Sequence, residues 1–139
     1  MDQKILTAAL KRIVADVDLK LYDWDGEKII TEDEAADEGI FQIQAHKNGM
    51  KAAYVQVYHE SGWYVFEVKV DESHRRQGIA TKMYDYADEI VGSSVKPQVL
   101  DPNVGDPDLT DDALNFWKER APHLVDDILD AIDTYKKRT

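Results

Sequence analysis

The chain has 139 residues, with 28 acidic against 17 basic side chains and a formal charge of −11 when histidine is neutral. That length supports one hydrophobic core. The acidic balance excludes a broad phosphate-binding face, so no direct nucleic-acid binding is expected, and it disfavours an anionic membrane surface. The absence of Cys excludes disulfide scaffolds, thiolate metal sites and cysteine nucleophiles together.

The N-terminal Met1-Asp2-Gln3-Lys4 lacks the layout of a signal peptide, and no apolar run reaches the length of a membrane span, so a cytoplasmic protein is expected. Ile5, Leu6, Ala9, Leu10, Ile13, Val14 and Val17 recur at three- and four-residue spacing, which predicts an amphipathic helix over 2–16. A short strand follows over 19–24, closed by the turn pair Asp25-Gly26. Thr31 with Glu34 three residues on is a capping box, and Gly39 ends the segment, so 31–39 reads as a short acidic helix or turn.

The centre is rich in strand signals. Residues 41–45 alternate strictly, Asn48-Gly49 marks a tight turn, and 53–58 resumes a β pattern. After Glu60-Ser61-Gly62 comes a third run over 63–70, in which simple alternation places Tyr64, Phe66, Val68 and Val70 on one face and Val65, Glu67 and Lys69 on the other. An antiparallel meander is the economical arrangement. Ile79, Met83, Tyr84, Ala87, Ile90 and Val91 then show helical spacing up to Gly92, and 95–100 is a short apolar strand candidate. An Asp-, Pro- and Gly-rich loop leads to Thr110, an N-cap for a helix over 111–120, and Pro122 precedes a last helix over 123–137. The basic tail from Lys136 is favourable charge at a helix C-terminus.

The joint between the third strand and its helix carries the most chemistry. Arg75-Arg76-Gln77-Gly78-Ile79-Ala80-Thr81 sets small residues at a helix N-terminus directly after a strand. Free N–H groups there can hold an anion, Gly78 permits close approach, and Ala80 keeps the first turn slim; the alternative is an ordinary strand-to-helix turn with two surface arginines. The run Val70-Asp71-Glu72-Ser73-His74-Arg75-Arg76-Gln77-Gly78-Ile79-Ala80 resembles the signature of the GNAT superfamily of N-acetyltransferases. Thr110-Asp111-Asp112-Ala113-Leu114-Asn115-Phe116-Trp117-Lys118-Glu119 is similar to a second motif of that family.

The resemblance implies an α+β acyl-CoA N-acyltransferase fold, with a central, mostly antiparallel sheet flanked by helices. It implies a single domain over 1–139 whose motif-bearing core covers about 40–120, with extra helices at both ends. It further implies acetyl-CoA as co-substrate, its pyrophosphate held by Arg75, Arg76, Gln77, Gly78, Ile79, Ala80 and Thr81, and its pantetheine paired with the backbones of Val68 and Val70. The family reaction is direct transfer: a neutral amine attacks the thioester carbonyl, a base removes its proton, and an acid reprotonates the leaving thiolate.

Four departures from the family pattern stand out. Trp117 replaces the usual Tyr acid, and an indole N–H has no useful acidity. Thr110 replaces an Asn, Glu72 replaces a Pro, and a helix stands where the family closes with a strand hairpin. The catalytic candidates are Glu67, whose alternative is a structural ion pair or an exposed charge, and Tyr64, which by alternation takes the position where some members carry a catalytic Glu. His59 is a candidate base through water, and His74 a phosphate contact. No His, Asp and Glu grouping has metal-ligand spacing.

Asp101, Asp106, Asp108, Asp111 and Asp112 form either a solvated charge run or an attraction for a cationic amine such as a polyamine, an aminoglycoside or a lysine side chain. Trp24, Trp63 and Trp117 are either core residues or stacking surfaces. Two functions follow. One is an acetyl-CoA-dependent N-acetyltransferase of a cationic small molecule or basic protein. The other is a GNAT-fold binding protein without turnover, whose acidic surface engages a basic partner or mimics DNA. The fold also allows a homodimer through the terminal helices.

Overall fold

The computed structural model describes residues 17–75, 77–103 and 109–138. The helix expected over 2–16 lies outside them, as do Arg76, Asp106 and Asp108. The chain divides into two compact units, Met1–Val95 and Lys96–Thr139.

In the first unit, β1 (Asp18–Tyr22), β2 (Ile40–Lys47), β3 (Met50–His59) and β4 (Trp63–Val70) form a continuous antiparallel meander in that order. The Asn48-Gly49 turn joins β2 to β3 with both residues at positive φ, as a two-residue hairpin loop requires. β1 ends two residues earlier than expected. Asp23 folds the chain instead: its carboxylate accepts from the N–H groups of Glu27 (3.0 Å) and Lys28 (3.2 Å). Trp24 therefore sits in a loop and not in a strand.

Helix α1 (Glu32–Glu38) carries the complete capping box, with Thr31 accepting from the Glu34 N–H at 3.1 Å and Gly39 closing it in the left-handed conformation. Helix α2 (Ile79–Val91) is closed by Gly92 in the same way. It packs on β2, β3 and β4 and against α1. The core lies between α2 and one face of the sheet. Phe41, Ile43, Val55 and Val57 are wholly enclosed there, and Ile79, Met83, Tyr84 and Ala87 face them from the helix. The Tyr86 hydroxyl donates to Glu32 at 3.0 Å and ties α2 to α1.

The β3–β4 ladder is interrupted. Gln56 opposes Glu67, but the next partners are Val57 and Val65, so Phe66 is an extra residue in β4. This β-bulge overturns the alternation expected for the strand. Trp63, Val65, Val68 and Val70 now lie on the helix-covered face with Val55 and Val57, while Tyr64, Phe66, Glu67 and Lys69 share the opposite one. Glu67 is thus on the same side as Tyr64 and Phe66.

The second unit contains β5 (Lys96–Pro97), α3 (Asp111–Arg120) and α4 (Val125–Arg138). The strand expected over 95–100 shrinks to two residues because Pro97 has no N–H for a ladder, and 98–100 closes into a 3-10 turn. Thr110 caps α3 by accepting from the Ala113 N–H at 3.1 Å. Pro122 opens a 3-10 turn over 122–124, where its missing donor costs nothing, and α4 continues from Val125. Trp117, Leu124 and Ile128 are buried.

Candidate functional site

β4 hands the chain to α2 through a short loop, of which residues 71–75 are held by backbone hydrogen bonds. The Asp71 N–H donates to the Ala52 carbonyl at 2.9 Å, a single 3-10 turn covers Glu72–His74, and the Arg75 N–H closes it on the Glu72 carbonyl at 3.3 Å. The Asp71–Ala52 bond makes Ala53/Val70, and two residues on Val55/Val68, non-hydrogen-bonded pairs of the ladder. The N–H and C=O groups of Val68 and Val70 consequently point away from β3, the orientation that backbone pairing with another extended group needs. One of them is engaged, since Arg75 Nε donates to the Val70 carbonyl at 3.2 Å.

Gly78 is the N-cap of α2 at φ +78, in the left-handed region that glycine enters without strain. A Cβ built there meets nothing within 4 Å. The glycine offers no side-chain acceptor to the N–H groups of the first turn, and that turn has no acidic residue. Ile79 is buried and anchors the helix, while Gln77, Gly78 and Thr81 are exposed and Ala80 is half-buried. The Lys47 ammonium lies 3.5 Å from the Gln77 amide oxygen and adds positive charge to the loop. A helix N-terminus with uncapped amides, no carboxylate in its own first turn and an open approach has the donor chemistry for a phosphate. His74 is half-buried, its Nδ1 3.1 Å from the Ser73 hydroxyl.

The sheet face opposite α2 is organised by side chains that sequence reasoning did not connect. Gln42 and Gln56 both donate to the Trp24 carbonyl, at 3.2 and 3.1 Å. Gln44 donates to Gln42 at 2.7 Å and to the Gly26 carbonyl at 3.4 Å, and its own oxygen is 2.8 Å from His46 Nε2. Three amides in alternate positions of adjacent strands were the available signal. Their ladder clamps the loop that holds Trp24 onto the sheet. The Trp24 ring then meets Phe66 at 5.3 Å between centroids, Phe66 meets Tyr58 at 6.4 Å, and Tyr58 meets Tyr64 at 5.8 Å.

Glu67 is exposed beside this ring cluster. Of the expected alternatives to a base, the exposed charge is the one seen, and Glu67 has the Tyr54 hydroxyl as hydrogen-bond partner. Burial, followed by that hydrogen bond and the Glu67 charge, pushes the Tyr54 phenol above its ordinary value. Burial and then the Lys20 charge hold His46 below the usual imidazole value. Tyr64 is buried. His59 is exposed and lies against Trp63 at 4.9 Å, and Trp63 meets Phe41 at 5.9 Å. Among the described residues no group of three His, Asp or Glu side chains could hold a metal ion, and no helix is long and apolar enough to cross a membrane.

In the second unit, Trp117 is buried with its ring edge-on to Phe116 at 5.7 Å, as a core residue. Asp101 is also buried and accepts from the Asn103 N–H at 3.0 Å, so it is no part of a solvated acidic surface. Asp111 and Asp112 occupy the first turn of α3, where the helix dipole favours them.

A family model described as an acetyltransferase (GNAT) family domain matches residues 8–98. No curated protein matches the chain in sequence. Among solved structures, the chain is similar in fold to the aminoglycoside acetyltransferase meta-AAC0020 from an uncultured soil metagenomic sample. Its complex with sisomicin superposes with a TM-score of 0.56 and 14% identity, covering 80% of this chain and 91% of that one. Its complex with trehalose gives 0.54 and 14% over the same shares. A ribosomal-protein-alanine N-acetyltransferase from Brucella melitensis biovar Abortus 2308 matches at 0.49 and 17%, covering 76% of this chain and 90% of that one.

Proposed function

The chain belongs to the GNAT family of acetyltransferases, and from that premise we propose that it transfers an acetyl group from acetyl-CoA to a primary amine of a cationic small molecule or protein in the cytoplasm. The observation that carries this reading is the Gly78 cap: open space above uncapped amides, one short loop after a strand whose outer backbone groups point away from its neighbour. When bound, acetyl-CoA supplies the acetyl group as an activated thioester.

The residues present fit that ligand. The N–H groups of Gln77, Gly78, Ile79, Ala80 and Thr81 would receive the pyrophosphate oxygens, with Arg76 adding charge. Arg75 keeps further guanidinium donors for phosphate while its Nε holds the Val70 carbonyl. Val68 and Val70 would pair with the pantetheine arm through their outward backbone groups. Glu67 is the base that takes the amine's proton, directly or through a water, and Tyr64 is the second candidate on the same face. An aminoglycoside acetyltransferase among the fold neighbours is in keeping with a cationic acceptor, as is the charge of −11.

Isothermal titration with acetyl-CoA tests the cofactor half. Micromolar binding that Gly78→Glu abolishes is expected, because the new carboxylate repels phosphate and fills the open approach. No binding by the wild-type chain would overturn the reading. A second reading, a GNAT-fold binder of a basic partner without turnover, is favoured by Trp117, whose indole cannot reprotonate a leaving thiolate. Acetyl-CoA binding with no thiol release across polyamines, aminoglycosides, arylalkylamines and Lys peptides would establish that second reading.

A further inference from the structure

Four aromatic rings run in a row on the sheet face opposite α2: Trp24, Phe66, Tyr58 and Tyr64, each within 6.4 Å of the next. Among the described residues the row does not form a closed core. Phe66 is 48% exposed, and Trp24 and Tyr58 are only partly buried, so the rings leave a contiguous apolar patch open. Phe66 is the bulge residue, and the bulge is what turns it to the same side as Glu67, its neighbour in sequence. A half-open aromatic surface therefore ends beside an exposed carboxylate, with two consecutive Cα atoms only about 3.8 Å apart setting the separation.

The surface is also held in place. The carbonyl of Trp24 takes two glutamine N–H donors, from Gln42 and Gln56, and Gln42 is buried. The Tyr54 hydroxyl is a hydrogen-bond partner of the Glu67 carboxylate. The Trp24 half of the surface is thus held before any ligand arrives, which lowers the cost of binding.

From this geometry we propose that Trp24, Tyr58 and Phe66 with Glu67 form the amine-acceptor subsite, and that its ligand is an arylalkylamine, an ammonium group on a short alkyl arm from a flat ring. The ring stacks against Phe66 and Trp24, and the ammonium meets Glu67. A polyamine offers only narrow methylene segments and an aminoglycoside a largely hydroxylated ring, so neither covers Phe66 and Trp24 as a flat aryl ring does. The assignment as an acceptor subsite rests on the acetyltransferase reading above; the binding itself does not.

The test is binding first and transfer second, on the full chain. The Trp24 indole N–H resonance, assigned with Trp24→Phe, is followed by nuclear magnetic resonance during titration with 2-phenylethylamine, 2-phenylethanol and spermidine. Saturable shifts with 2-phenylethylamine are expected. Affinity should fall about tenfold or more for 2-phenylethanol, for Phe66→Ala with 2-phenylethylamine, and for Glu67→Gln with the same amine. Phe66→Leu, which keeps apolar bulk without the ring, should lose most of that affinity and covers the case in which Phe66→Ala does not fold. No shift at Trp24, an equal response to spermidine, or unchanged affinity in both Phe66 variants would overturn the proposal. Thiol release with acetyl-CoA then separates the two readings: binding at Trp24 without release from any amine retains the aromatic site and removes its role as acceptor site.

Discussion

Phe66 and Glu67 are neighbours in β4 and face the same side of the sheet, because the ladder to β3 passes from Glu67 to Val65 and leaves Phe66 out. One extra residue thus changes what a carboxylate can do. Counted from Trp63 without the bulge, Glu67 would oppose Val55 and lie on the α2 side of the strand. With the bulge it stands exposed beside a row of rings and within reach of the Tyr54 hydroxyl.

If Glu67 is the base, Glu67→Gln should lower kcat by about a hundredfold while acetyl-CoA affinity is unchanged. Steady-state kinetics and titration calorimetry on the same protein check both halves. An unaltered kcat would remove Glu67 from the chemistry and leave Tyr64→Phe as the next variant to measure.

Gly26→Ala should be among the most damaging loop substitutions. Its φ is +74, and a Cβ would come within 2.5 Å of the Gln42 amide oxygen and 2.7 Å of the Gln44 nitrogen. Those amides are hydrogen-bonded to each other and to the loop, so they cannot swing aside without breaking the clamp. A loss of about 2–3 kcal/mol is expected from left-handed strain and the displaced network together, read as a shift in the urea midpoint.

Gly78→Ala should separate fold from ligand. Its φ of +78 disfavours any side chain, but a Cβ there meets no atom within 4 Å. The stability cost should therefore be about 1–2 kcal/mol, the left-handed penalty alone, seen as a modest drop in Tm. Gly78→Glu should lower Tm by a similar amount while abolishing acetyl-CoA binding.

Stability should fall on acidification as His46 titrates. Burial comes first among the causes that lower its folded pKa, followed by Lys20 and, more weakly, Lys51, with Asp18 opposing. The unfolded chain, with imidazole near its ordinary value of about 6.5, then binds the proton before the folded chain does. More protons bound in the unfolded state means that stability rises with pH. The His46 contribution is therefore complete above about pH 6.5 and declines as the pH drops toward the lowered folded value. Urea unfolding across that range should show the decline in the wild type and a smaller one in His46→Gln.

Much of the fold could be read directly from the chain. The capping box at Thr31 and Glu34, the Asn48-Gly49 turn, the strand Trp63–Val70 and the helices beginning after Gly78 and Thr110 are all present. Each depends on residues a few positions apart, whose backbone preferences and hydrogen bonds act locally. Where local signals competed, the boundaries moved. Asp23 ended β1 early by capturing two loop amides, and Pro97 cut the fifth strand to two residues.

The sequence by itself determined the family and the Gly78 joint, since a strand, a glycine and an uncapped helix start are consecutive along the chain. The tertiary structure alone decided which residues share the face beside it. A bulge is a mismatch between two strands, and nothing in Phe66-Glu67-Val68 reports how β3 will count against it. The three glutamines of β2 and β3 are likewise ordinary polar positions until the Trp24 loop lies over them. Cross-strand register and loop closure are set by partners many residues away, and here they decide that Glu67 stands beside an open aromatic surface.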